Sequence, residues 1–207
     1  MNTVKYLLLI FTFSFFGINY LKADSPLTST DFSKAYKEFS IVIKALESGG
    51  KINDEISKFL ADKSKPIDEK MAVINALSWD FNGKNNADYF FNYLKKKRKY
   101  KNLDHFMKKG RADELLCYAY LKAMDNYFDV TDAYKFAEKA LSLNSKSYTY
   151  NIITALIKAQ IVFKTDWCGV FKSTDDVRNN EGLKMDMDED AIVIIFEYMD
   201  IYQSSCQ

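Results

Sequence analysis

The apolar positions of this chain recur at helical spacing over most of its length. Phe32, Ala35, Tyr36, Phe39, Ile43 and Leu46 keep the 3.6-residue period that lines one face of a helix. Polar residues of "PLTSTD" can cap that helix, and Gly49–Gly50 closes it. Ile52, Ile56, Phe59 and Leu60 mark a shorter second helix. Pro66 suits the first turn of a third, carried on by Met71, Ile74, Leu77 and Ser78. "DFNGKNN" breaks the pattern, and Asn85 or Asn86 can cap a fourth helix with Tyr89, Phe90, Tyr93 and Leu94. "NLDHFMKKG" predicts a fifth that stops at Gly110. Residues 112–127, 132–144 and 147–163 form three more, joined by "FDVT" and a short polar link. Pro26 and Pro66 are the only prolines, so long stretches lack breakers, which favours helices over many short strands.

After Phe163 the texture changes. "KTDWCGVFKSTDDVRNNEGLK" is polar and irregular apart from Trp167, Val170 and Phe171, and reads as a long, functional loop. A last amphipathic run follows. Ala191, Ile192, Ile195, Tyr198, Met199 and Tyr202 repeat at helical spacing, with Asp186 as a cap and Asp188, Glu189 and Asp190 at the positive N-terminal end. The same stretch, "DMDEDAIVIIFE", carries a rival reading. Asp186, Asp188, Asp190 and Glu197 have the spacing of first, third, fifth and twelfth ligands of an EF-hand calcium loop. Ala191 stands where that loop needs glycine, and its second half is oily. In a helix Asp186 and Glu197 lie about 16 Å apart, too far to share an ion. The helix is the better reading, with calcium kept as the alternative.

Ala133, Ala140, Leu141, Leu143 and Asn144 place small residues and the exit along the second helix of the segment 112–163, Asp129 suits the turn before it, and Ala155 the next close approach. In these positions residues 112–163 resemble a tetratricopeptide repeat. Leu121 replaces an expected glycine and Ser145 the terminal proline. The resemblance implies stacked helical hairpins that bind peptides or proteins, and no chemistry. With the periodicity, it predicts an all-α fold of stacked antiparallel helical hairpins, α-solenoid-like or an irregular helical bundle. Residues 24–207 would form a single domain, with a weak seam near 80–86 or 110.

The N-terminus adds a location. Lys5 precedes an apolar stretch from Tyr6 to Ile18, then a polar patch and Ala23, the plan of a secretory signal peptide over residues 1–23. Cleavage after Ala23 is expected; an uncleaved anchor is the rival. The protein would then be periplasmic or secreted. Export permits disulfides. Of three cysteines, Cys117 sits in a strong helical pattern and reads as buried, leaving Cys168 and Cys206 as the candidate pair.

Charge excludes more than it selects. Removing Lys5 and Lys22 with the leader takes the formal charge from +1 to −1. That balance, with few arginines, argues against nucleic acid as a partner. The run Lys95, Lys96, Lys97, Arg98 and Lys99 is either a solvated helix end or a partner-binding patch; contact with a membrane surface is the weaker expectation. Acids dominate 175–200, so the two zones could pair within the fold or face a partner together. His105 is the only histidine, and no motif links it to Cys117 or Cys168. No phosphate-binding glycine loop or nucleophile elbow stands out. Trp167 is a candidate anchor for a partner. No cofactor is expected. The leading reading is an exported, non-catalytic protein-interaction module: a scaffold, inhibitor or immunity-type binder. The runner-up is an envelope glycan or cell-wall hydrolase using carboxylates.

Overall fold

The computed structural model describes residues 24–206; the leader predicted over 1–23 lies outside them. The fold is all-α. Ten α-helices are described: α1 (Ser40–Glu47), α2 (Asp54–Leu60), α3 (Ile67–Leu77), α4 (Asn86–Arg98), α5 (Leu103–Lys109), α6 (Ala112–Asp125), α7 (Thr131–Leu143), α8 (Tyr148–Val162), α9 (Trp167–Arg178) and α10 (Glu189–Met199). Short 3-10 turns lie at Phe32–Tyr36 and Asp200–Cys206. Consecutive helices from α6 to α9 pack on one another, as short connections require. Their buried apolar side chains belong to one connected core running from Leu27 to Tyr202.

Burial sorts the helices by their sequences. All residues of α3 from Lys70 to Leu77 are buried, as are most of α6 and α8, so these three are central. On α7 only Ala133, Phe136, Ala137 and Ala140 are buried, a single stripe whose alanines let α6 approach closely.

Three local expectations are corrected. The first helix is interrupted. Residues 32–36 form a 3-10 turn, and Phe39 is extended before α1 begins. Tertiary bonds hold the break: Ser33 N donates to Asn75 Oδ1, and Tyr36 Oη donates to Asp68 and accepts from Asp188 N. The break shifts the helix phase, so Val42 and Ala45 are buried while Ile43 and Leu46 face solvent.

The expected loop after Phe163 is largely the helix α9. Asp166 Oδ1 accepts from Gly169 N at 2.8 Å to start it. Val170, Phe171, Thr174 and Val177 supply its buried stripe, with the Thr174 hydroxyl donating back to Phe171 O. A disulfide joins Cys168 to Cys206 and ties this helix to the chain's end.

The last helix begins later than expected. Asp188, not Asp186, caps α10, accepting from Asp190 N and Ala191 N. Asp186 instead accepts from Thr149 N, and Thr149 Oγ1 donates to Asp186 O, which pins the acidic segment to α8. Tyr198 Oη on α10 donates to Asp24 Oδ1 at 2.6 Å, closing one end of the described chain on the other.

Charge is also built into the interior. Lys70 on α3 is fully buried and donates to Asp113 Oδ2 at 2.6 Å. Glu114, equally buried, accepts from Arg98 Nε at 2.9 Å and from Tyr100 Oη at 2.8 Å, and pairs with Arg111. Arg111 also holds Asp113, and both arginines donate to Ala61 O just past α2. Burial pushes the Asp113 carboxyl up, but the bonds from Arg111 and Lys70 outweigh it and keep the group below the usual range. This hub fixes α3, α4, α6 and the end of α2 in register.

Candidate functional site

The clearest unsatisfied surface is a ledge of aromatic rings on two loops, 78–85 between α3 and α4 and 126–130 between α6 and α7. Each loop is held from beneath. Ser78 ends α3 with φ of 60° and ψ of −166°, a conformation that a non-glycine residue adopts only at a cost of about 1–3 kcal/mol. Lys84 holds it there: its ammonium donates to Leu77 O at 2.7 Å and Ser78 O at 3.1 Å, closing the orphan carbonyls of α3. Burial among these groups lowers the Lys84 pKa.

Asp80 Oδ1 accepts from Asn82 N, which folds the loop tip. Gly83 has φ of +78°, which strains any other residue, and a Cβ there would sit tightly against Asp125 O at 3.1 Å. Lys84 N donates to that same carbonyl at 3.0 Å. The Asp125 side chain, only 5% exposed, accepts from Ala87 N at 2.7 Å through Oδ2 and so anchors the first turn of α4. Among the described residues its Oδ1, which is buried, has no hydrogen-bond partner. Burial raises this carboxyl to about 6, partly offset by the backbone N–H groups of Ala87 and Asn86.

Four aromatic side chains stand on this base. The Trp79 ring meets Tyr127 edge-on at 5.2 Å, and Tyr127 lies 4.3 Å from Phe128. Phe128 in turn meets Phe81 at 5.5 Å and 90°. Tyr127 is buried, but Phe81 is 71% exposed and Phe128 52%. The Lys164 ammonium lies 6.0 Å from the Phe128 ring centre, within cation–π range. Two exposed phenylalanines thus meet each other across two separate loops. The sequence-based reading missed Phe81 and Phe128. The available signal was two large apolar residues inside the breaker-rich "WDFNGKNN" and "NYFDVT", where no helix face could bury them.

The residues singled out from the sequence disperse. Trp167 opens α9 with 58% of its surface exposed. Lys95, Lys96, Lys97 and Lys99 are exposed around the end of α4. Arg98, also exposed, differs from them in donating to the buried Glu114 and to Ala61 O. The acidic zone uses Arg178 instead of the lysine run: Arg178 pairs with Asp175 and Asp200, and among the described residues no ion pair joins 95–101 to 175–200. Of the calcium candidates, Asp186 faces Thr149, Asp188 is a helix cap, and Asp190 and Glu197 lie exposed within α10.

No Cys–His couple forms from the three cysteines. Cys168 is in the disulfide with Cys206, while Cys117 is buried and its thiol pushed up to about 12 by that burial. His105 accepts from Lys101 N near the start of α5. Burial also raises the Asp68 and Glu69 carboxyls, Asp68 further by the charge of Asp186, but the Asp68 oxygen is taken by Tyr36. Comparison with protein-family models, with curated proteins and with solved structures gave no match.

Proposed function

We propose that this protein is an exported, non-catalytic interaction module, and that the Phe81–Phe128 ledge is where a protein partner docks. The supporting observation is the fixed, exposed ring pair. Water-exposed phenylalanine is costly, and rings already immobilised by Tyr127, Trp79 and their loops lose little freedom on binding. The helical-hairpin arrangement of α6, α7 and α8 agrees with the peptide-binding role that the tetratricopeptide resemblance of residues 112–163 implies. The leader reading supplies export, and the Cys168–Cys206 disulfide suits an oxidising compartment.

The test is site-specific photocrosslinking in the native envelope. A photoreactive residue at position 128 should give a discrete protein adduct that Phe81→Ser abolishes. The same residue at exposed position 172 on α9 should give none. Equal labelling at both positions, or none at 128, rejects the reading.

A further inference from the structure

The loop that carries Phe81 also carries a reactive pair. Asn82–Gly83 is the only asparagine–glycine step in the chain. Both residues are exposed. Among the described residues the Asn82 side-chain amide makes no hydrogen bond, whereas those of Asn53, Asn75, Asn86 and Asn102 are held. A side-chain amide is a carboxyl derivative, and the backbone nitrogen of the next residue is the nucleophile nearest to it. A Cβ on that next residue hinders ring closure, and glycine has none.

We propose that Asn82 is a modification site, at which the chain converts its own amide to a carboxylate. Gly83 N loses its proton to hydroxide and attacks Asn82 Cγ. A new C–N bond forms there. The bond from Cγ to the side-chain nitrogen breaks, and that nitrogen leaves as ammonia with a proton from water. Water then opens the cyclic imide at either carbonyl. One opening leaves aspartate in the ordinary chain. The other leaves an isoaspartyl link, with the main chain running through Cβ and Cγ. Water and hydroxide are the only co-reactants.

The native turn sets the pace. Gly83 N donates to Asp80 O at 3.0 Å, and Asn82 N donates to Asp80 Oδ1 at 2.8 Å. The first bond must open before Gly83 N can attack. It lies at an exposed loop tip, where water replaces it and local opening is easy.

The product acts on the ledge. The loop is pinned at both ends: Lys84 N donates to Asp125 O at 3.0 Å, and the Lys84 ammonium holds Leu77 O and Ser78 O. An isoaspartyl link adds a main-chain carbon between these pins and next to Phe81. The tip must buckle, and the 5.5 Å contact of Phe81 with Phe128 is lost. Plain aspartate adds a charge near Asp80 but keeps the main-chain length. The reaction stands on its own; only its effect on a partner rests on the docking reading above.

The experiment is timed incubation of the folded protein at neutral and mildly alkaline pH, followed by peptide mapping that separates aspartyl from isoaspartyl links. Asn82 should be converted roughly tenfold or more faster than any other asparagine, to a mixture of both products. The rate should rise with hydroxide, and Asn82→Gln, whose longer side chain closes a less favourable ring, should stop it. The proposal is overturned if Asn82 stays intact in the folded protein while the urea-unfolded chain converts it. It is equally overturned if aspartate is the sole product or if another asparagine reacts first. Nuclear Overhauser contacts between the Phe81 and Phe128 rings read the consequence. They should vanish in the isolated isoaspartyl form and persist in Asn82→Asp; rings still in contact in the isoaspartyl form would overturn the effect on the ledge. Neither readout uses a partner, so failure here is distinct from failure of the docking reading.

Discussion

The buried charge hub and the aromatic ledge each invert the ordinary partition of side chains. In the hub, Lys70 and Glu114 are fully buried, yet their charges are met by Asp113, Arg98, Arg111 and Tyr100. On the ledge, Phe81 and Phe128 stand in water, and the contacts they have inside the chain cover only part of each ring. The difference is one of completeness. A buried polar group with all its partners supplied from within is architecture: it sets which helices lie beside which. An apolar group left half covered by its own fold adds little to that fold, and it is what the proposed docking would use. The two regions should therefore respond oppositely to mutation, the hub in stability and the ledge in binding.

The largest effect tests the hub. Asp113→Asn keeps the shape but leaves the fully buried Lys70 ammonium facing a neutral amide. Breaking a buried pair from one side costs about 3–5 kcal/mol. Urea unfolding should show that loss, with an unchanged slope. A loss under about 1 kcal/mol would place the hub with surface ion pairs and remove the contrast.

Next comes the covalent tie, which belongs to neither region. Replacing both Cys168 and Cys206 with serine opens a loop of sequence separation 38. Loop-closure entropy puts the cost at about 3–4 kcal/mol. Amide exchange should localise the loosening to α9 and the 200–206 turn, with the hub and the ledge still protected. Loosening that spreads to the ledge would mean the two are coupled through α8.

Much of this architecture was legible because it follows local rules. Helical spacing placed the helices on either side of Gly110. The amphipathic pattern around Cys117 left Cys168 and Cys206 to pair, as they do. What escaped was set by contacts distant in sequence. The break at Phe39 depends on Asn75 and on Asp188. In α9 a buried stripe completed by Thr174 hides the period from a reading based on apolar residues alone. Asp186 looked like a cap because nothing in its own segment announces Thr149. The ledge could be suspected only as stray phenylalanines, since the partnership of Phe81 with Phe128 exists once two separate loops are brought together. Arg98 was read as one of a run of surface cations because its acceptor, Glu114, lies on another helix.

A smaller, pH-dependent effect lies beneath the ledge. Asp125 lies under the ledge loops, and its carboxyl is raised to about 6 from 3.8. Between about pH 4 and 6 the folded protein binds the proton while the unfolded chain has released it. This group's contribution to stability is therefore full below about pH 4 and is lost as pH rises through about 6. The shift corresponds to at most about 2–3 kcal/mol. Asp125→Asn keeps an acceptor for Ala87 N and cannot titrate. The variant minus wild-type difference in stability should thus rise in the variant's favour from pH 4.5 to 7.5. A difference independent of pH would show that Asp125 does not titrate in this window.

The smallest effect goes to the ledge itself. Phe81 and Phe128 touch edge-on, and the mostly exposed Phe81 should cost less than about 1 kcal/mol on serine substitution while the half-covered Phe128 costs about 1–2 kcal/mol. A double-mutant cycle separates the ring–ring contact from everything else each ring touches. Because exposed aromatic pairs are worth about 0.5–1.5 kcal/mol, coupling at the low end of that range is expected in the free protein. The comparison rests on what happens next. If the rings form one docking surface, the same cycle measured on partner capture should give a larger coupling than the one measured on unfolding, because the partner contacts a pair that neither ring presents alone. Equal couplings would mean that the pair serves only to fasten the two loops, and the ledge would then join the hub as architecture.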